Sequence, residues 1–176
     1  MARCVFAMNV SLDGFVDHEH FAPDADLFRH WIEAVKTSKA AIYGRKIYEI
    51  MQYWEEDQPE WSPDHLDFAT AWRAQPKWVV SRTLTSVGSN ATLVSKDEDS
   101  VVRDLKTRFD GDIDVCGTEL AASLGAMGLL DEVRMYFHPV VLGSGKPFFA
   151  GPRPRLRLTA SSRIGAEVIC LTYVPG

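Results

Sequence analysis

The feature that most constrains this chain is an alternation of short buried runs with helical periods, each join marked by glycine or a small polar residue. Arg3 to Val10 is an apolar run that gives way to Ser-Leu-Asp-Gly-Phe at Ser11 to Phe15. Ala40 to Tyr43 stops at Gly44, and Lys77 to Ser81 and Ala91 to Val94 are two more short runs. Asp112 to Cys116 stops at Gly117. Continuous apolar runs of this length, bounded by turn residues, suit strands covered on both faces. Strands separated by helices are joined by crossovers, and a crossover returns the chain parallel to its start.

The intervening segments carry helical spacing. Pro23 and Asp24 open a helix whose inner face is Leu27, Phe28, Trp31, Ile32 and Val35. Arg45 to about Trp54 has helical character. Ser62 followed by Pro63 is an N-cap with proline in the first helical position, and that helix runs to about Ala74. Ser95-Lys-Asp-Glu98 reads as a capping box ahead of Val101, Val102, Leu105 and Phe109. Thr118 to Met127 turns Leu120, Ala121 and Leu124 inward. Glu132 to Val141 reads as a strand, followed by the turn Leu142 to Pro147. Arg155 to Arg163 and Glu167 to Tyr173 flank Gly165 as an antiparallel hairpin. The expected fold is one α/β domain over residues 1–176. It has a mainly parallel sheet, helices on both faces and an antiparallel edge.

Composition narrows the function. The net charge is −5 over 176 residues, which disfavours a nucleic-acid partner. No apolar run approaches the roughly 20 residues that cross a bilayer, and no signal-peptide pattern is present. Cys4, Cys116 and Cys170 are odd in number and lie in apolar stretches, as reduced buried thiols do, so the chain reads as cytoplasmic. His18-Glu19-His20 lacks a third ligand and reads as a solvated loop, so no metal is expected. The tryptophans at 54, 61, 72 and 78 read as core or lid residues.

In a sheet of this kind, ligands bind beyond the carboxyl ends of the strands. Three of those ends suit phosphate. Ala-Ile-Tyr-Gly-Arg-Lys at Ala41 to Lys46 places Gly44, Arg45 and Lys46 at a new helix start, where glycine permits close backbone approach. Two cations there oppose the helix dipole unless an anion is bound, although a solvated basic pair fits equally well. Val79 to Thr83 presents Ser81, Arg82 and Thr83, and arginine can hold a phosphate monoester through two hydrogen bonds. Asp114 to Leu120 is another strand–glycine–helix join, with Gly117, Thr118, Glu119 and Leu120. Neither G-x-G-x-x-G nor a P-loop occurs. Asp13, at the turn Ser11 to Gly14, is the candidate polar or proton-relaying side chain.

In this order, the motifs resemble the dihydrofolate reductase superfamily. They are closer to the reductase domain of the riboflavin-biosynthesis deaminase-reductase than to dihydrofolate reductase itself. The residues that carry the likeness are Ser-Leu-Asp-Gly (11–14), Gly-Arg-Lys-Ile-Tyr-Glu (44–49), Val-Ser-Arg (80–82), Cys-Gly-Thr-Glu-Leu (116–120), Leu-Leu-Asp-Glu-Val (129–133) and Pro-Val-Val-Leu-Gly-Ser-Gly-Lys-Pro-Phe-Phe (139–149). The resemblance implies a dihydrofolate reductase-like fold with about eight strands, binding NADPH across their carboxyl ends. Gly44, Arg45 and Lys46 would meet the adenosine-side phosphates. Ser81, Arg82 and Thr83 would hold the 2′-phosphate, and Gly117, Thr118, Glu119 and Leu120 would follow the pyrophosphate and nicotinamide.

Asn9, Ser11, Asp13 and Gly14 would line the substrate pocket. The implied activity is hydride transfer to a small heterocyclic or carbonyl substrate, such as the ribosylamino-pyrimidine of riboflavin synthesis. Dihydrofolate reduction and an inactive nucleotide-binding module are the alternatives. The Pro-Trp pair that precedes the pterin-binding acid of dihydrofolate reductases is missing, and only Asp24 and Asp26 stand on the first helix. The zinc ligands of the deaminase are absent too. A homodimer is implied, with Phe148-Phe149 as a candidate interface segment.

Overall fold

The computed structural model describes residues 1–152 and 155–176. Eight strands form one sheet: β1 (Arg3–Val10), β2 (Ala40–Gly44), β3 (Lys77–Val80), β4 (Ala91–Val94), β5 (Asp112–Cys116), β6 (Glu132–Phe137), β7 (Leu156–Ile164) and β8 (Val168–Pro175). Their spatial order is β4-β3-β2-β5-β1-β6-β8-β7. The first six are parallel, and β8 and β7 close the sheet antiparallel. The helices are α1 (Ala25–Thr37), α2 (Arg45–Met51), α3 (Pro63–Ala74), α4 (Glu98–Arg108) and α5 (Thr118–Ala126).

Strand alternation sorts side chains onto two faces. Cys4, Phe6, Ile42, Ile113, Val115 and Val133 pack under Val102 and Leu105 of α4 and Leu120, Ala121 and Leu124 of α5. On the other face, Ala41, Tyr43 and Val79 pack with Tyr48 of α2. Ile32 of α1 and Phe68 and Trp72 of α3 form a cluster of their own. Full burial of each large apolar side chain contributes about 1.5–3 kcal/mol. Neighbouring strands β2 and β5 therefore send their chains to opposite faces, through α2 and α5. That divergence opens a crevice at their carboxyl ends.

Local signals account for most helix starts. The Asp24 carboxylate accepts the Leu27 amide at 2.8 Å, and the Ser62 hydroxyl accepts the His65 amide with Pro63 behind it. The capping box at 95–98 does not form. Helix α4 starts at Glu98 after a left-handed Asp97 (φ 55°), with no side-chain cap. Glu98 instead turns to α5, where its carboxylate accepts the Ser123 hydroxyl at 3.1 Å. Helical character after Gly44 breaks into α2 and a separate 3-10 turn over Gln52–Trp54. Strand β6 ends at Phe137, because Pro139 has no amide to continue the ladder. His18–His20 is a 3-10 turn, and the described residues hold no cluster of three or more metal-ligating side chains.

The three cysteines are free. Trp72 is fully buried and donates to Tyr43 Oη at 2.9 Å, whereas Trp61 lies near the surface and donates to Tyr53. Phe148 is core rather than interface, since it is 1% exposed with its ring 4.7 Å from that of Phe6. No helix among the described residues is long and apolar enough to cross a membrane.

Candidate active site

The crevice between β2 and β5 holds a groove of about 350 Å³. All ten residues singled out at the three strand ends line it: Gly44, Arg45 and Lys46; Ser81, Arg82 and Thr83; Gly117, Thr118, Glu119 and Leu120. They are separated by tens of residues, and the parallel register of β3, β2 and β5 brings them to one edge.

Two glycines form the floor. Gly117 has φ +124°, a conformation that side chains with a Cβ rarely adopt. A Cβ there would stand 3.8 Å from the Gly44 amide nitrogen, and one on Gly44 would stand 3.6 Å from the Cys116 carbonyl. The two joins thus lie against each other, and both line the groove. Gly117 also caps α5 without a side-chain hydrogen bond, which leaves first-turn amides free for an acceptor.

The cations differ in their commitments. Arg45 reaches Glu49 one turn on, at 3.1 Å, so an internal carboxylate already answers part of the charge at the start of α2. The basic pair therefore does not by itself require an anion. Lys46 and Arg82 are exposed and make no hydrogen bond or ion pair within the described residues. Ser81 is buried, and its oxygen accepts the amides of Thr83 and Leu84 at 3.2 and 3.0 Å. It shapes the turn that carries Arg82. Thr118 is 1% exposed, and its hydroxyl has no partner among the described residues. A buried hydroxyl without a hydrogen bond is costly, and this one stands in the groove wall. Glycines along the floor, free first-turn amides of α5 and uncommitted cations fit a dinucleotide phosphate chain.

The groove also takes in polar residues that strand-end reasoning missed, namely Ser95, Glu98, Ser123 and Lys146. Glu98 was hidden inside the supposed capping box. Lys146 lies in the glycine-rich turn after β6, with nothing local to mark its destination.

The four residues expected on the substrate side do not line this groove. Asn9 sits opposite Tyr136 in the β1–β6 pairing, and its side-chain oxygen is buried without a partner among the described residues. The Ser11 hydroxyl donates to Asp13 at 2.6 Å and accepts the Phe15 amide at 2.9 Å. Gly14 makes the turn at φ +92°.

Asp13 has a structural task. Its carboxylate accepts the Leu142 and Gly143 amides at 3.1 and 2.6 Å as well as the Ser11 hydroxyl. The Ser11 hydrogen bond, followed by those two amides, holds it well below the usual 3.8, at about 2. At neutral pH it is ionised and a poor proton carrier. In Asp13→Ala, amide exchange at Leu142 and Gly143, read by NMR, is expected to accelerate. Unchanged exchange would show that the loop is held otherwise.

A second cavity of about 490 Å³ lies where α1 and α3 begin, among Phe28, Tyr53, Trp54, His65, Asp24 and Asp64. Asp24 is engaged there, capping α1 and accepting the Ala166 amide at 2.9 Å. His138 is buried, its ring lies tilted against Phe21 at 4.7 Å between centroids, and its Nε2 has no partner among the described residues. Burial lowers the pKa of His138.

Comparison with known proteins agrees with this architecture. The family described as the RibD C-terminal domain matches residues 3–170. The uncharacterized protein YyaP of Bacillus subtilis (strain 168) is 29% identical over 166 residues, covering 89% of this chain and 85% of that protein. A putative riboflavin biosynthesis protein from Shewanella sp. PV-4 superposes with a TM-score of 0.73 at 21% identity, covering 100% of this chain and 99% of the other. RibD of Acinetobacter baumannii gives a TM-score of 0.70 at 14% identity, and this chain spans 58% of its length. With the family match running over nearly the whole sheet, the chain belongs to the RibD C-terminal domain family.

Proposed function

We propose that the protein is an NADPH-dependent reductase that passes a hydride to a small heterocyclic or carbonyl substrate. The observation that carries this reading is the convergence of all ten strand-end residues on one groove. When bound, the cofactor supplies the hydride, so the chain's task is to bind and orient. Gly44 and Gly117 let the phosphate chain approach the backbone, where the first-turn amides of α5 have no side-chain cap. Arg82 stands at the β3 end of the groove, free to take a 2′-phosphate. Family membership supports a reductase-like activity related to riboflavin biosynthesis, with a ribosylamino-pyrimidine as the first substrate to try. Dihydrofolate is disfavoured, because Asp24 is engaged in capping and Asp26 is exposed. A homodimer belongs to the same reading, and light scattering tests it.

Calorimetric titration with NADPH and NADH is the direct test of the cofactor. No binding of either at millimolar concentration would end this reading. Arg82→Ala is expected to weaken NADPH by about tenfold or more, the scale of a paired charge-assisted contact, and NADH by less than about twofold. Equal losses would remove Arg82 from the 2′-phosphate. If NADPH binds but stays unoxidised across a broad panel of carbonyl and heterocyclic compounds, the inactive nucleotide-binding module is the better description.

A further inference from the structure

We propose that Lys146 is a phosphate-binding residue of the groove, delivered by the connection after β6, and that Glu119 is its resting partner. This rests on the nucleotide reading above and identifies a contact from a fourth element. Lys146 lines the groove, and its ammonium lies 3.3 Å from the Glu119 carboxylate in the first turn of α5. The two side chains are 39% and 72% exposed, so the pair sits at the mouth in reach of solvent and ligand. An ion pair this exposed holds little net free energy, and a phosphate can displace Glu119 from Lys146 at small cost.

The backbone beneath Lys146 is fixed far more firmly than the pair itself. Asp13 ties down the Leu142 and Gly143 amides, and the Asp17 carboxylate accepts the Lys146 amide at 2.9 Å. Val16 donates to the Lys146 carbonyl at 2.8 Å, and Phe15 bridges to Pro147. Gly145 has φ +143°, and a Cβ on it would collide with the Asp17 carboxylate. Two acids of the segment after β1 thus hold the segment after β6, and the side chain it presents to the groove is Lys146. An anchored backbone bearing a loosely paired cation is suited to recognition, because little order has to be gained on binding.

Position sets which phosphate is met. Arg82 follows β3, and Lys146 follows β6 on the other side of β5 and β1. With a 2′-phosphate at Arg82, as proposed above, Lys146 would meet the pyrophosphate shared by NADPH and NADH rather than the 2′-phosphate. Glu119, although it lines the groove, would repel the same phosphates, so it acts through Lys146 rather than as a ligand itself.

The test is calorimetric titration of wild type, Lys146→Met and Glu119→Gln with NADPH and with NADH. Lys146→Met is expected to weaken both by a similar factor of roughly tenfold, leaving their ratio intact, with an unchanged melting temperature. Glu119→Gln removes a like charge and frees the ammonium, so both nucleotides should bind about twofold to fivefold more tightly, with the gain shrinking as salt rises. Unchanged affinity in Lys146→Met, a loss confined to NADPH, or weaker binding in Glu119→Gln each overturns the assignment while the cofactor reading stands. A wild-type protein that binds neither nucleotide overturns the cofactor reading itself.

Discussion

Gly117→Val is expected to abolish detectable NADPH binding, with affinity falling by more than about a hundredfold. Gly117 has φ +124°, where a β-branched residue is a steric outlier and costs on the order of 1–3 kcal/mol. To escape that strain the backbone must rotate, and the rotation reorients the first-turn amides of α5. If it does not rotate, the added methyl groups crowd Gly44 and Ile47, whose nearest atoms already stand 3.8 Å from a single Cβ. Either outcome spoils the groove floor. Calorimetric titration reads the affinity, and circular dichroism reports whether the sheet is retained. Gly117→Ala, which adds the strain with little bulk, keeps the test open if the valine variant folds poorly; it should lose affinity by about tenfold. Full-affinity binding by either variant would remove the glycine join from the site.

Asp114→Asn is expected to stabilise the protein at neutral pH by up to about 3 kcal/mol. Asp114 lies on β5 under α3, where the Gln75 side chain donates to it at 3.0 Å. Burial, opposed in part by hydrogen bonds and by the Arg134 charge, raises its pKa from 3.8 to about 6. Between these values the unfolded chain releases the proton and the folded chain keeps it. Stability from this group is therefore greatest below about pH 4, falls as pH rises to about 6, and stays reduced above it. Asparagine keeps the shape and an acceptor for Gln75 while removing the charge. Thermal melts from pH 4 to 8 should show an advantage for the variant at pH 8 that shrinks toward pH 4. A difference independent of pH would mean that Asp114 is already ionised at little cost.

The fold was legible because each strand carries its own evidence. Ala40 to Tyr43 and Asp112 to Cys116 are short apolar runs stopped by glycine, and the observed strands end within a residue of those stops. Helices with a local cap, such as those after Asp24 and Ser62, were equally visible. The failures share a cause. The motif at 95–98 matches a capping box, yet Glu98 finds a better partner in Ser123, far along the chain. Asp13 reads as a candidate polar or proton-relaying side chain at a turn, and only the segment after β6 brings the two amides that engage its carboxylate.

The chain's local chemistry settles which segments are strands, where their glycine joins fall and which joins suit phosphate, because propensity, capping and backbone freedom act over a few residues. Which joins meet is another matter. Sheet order places β5 between β2 and β1, so Gly44 lies against Gly117 and the Ser81–Thr83 turn stands beside them. It also carries Lys146 across to Glu119 and turns Asp13 from a candidate proton carrier into an anchor. Those outcomes depend on pairing between residues tens of positions apart, and no short-range pattern encodes a partner at that distance.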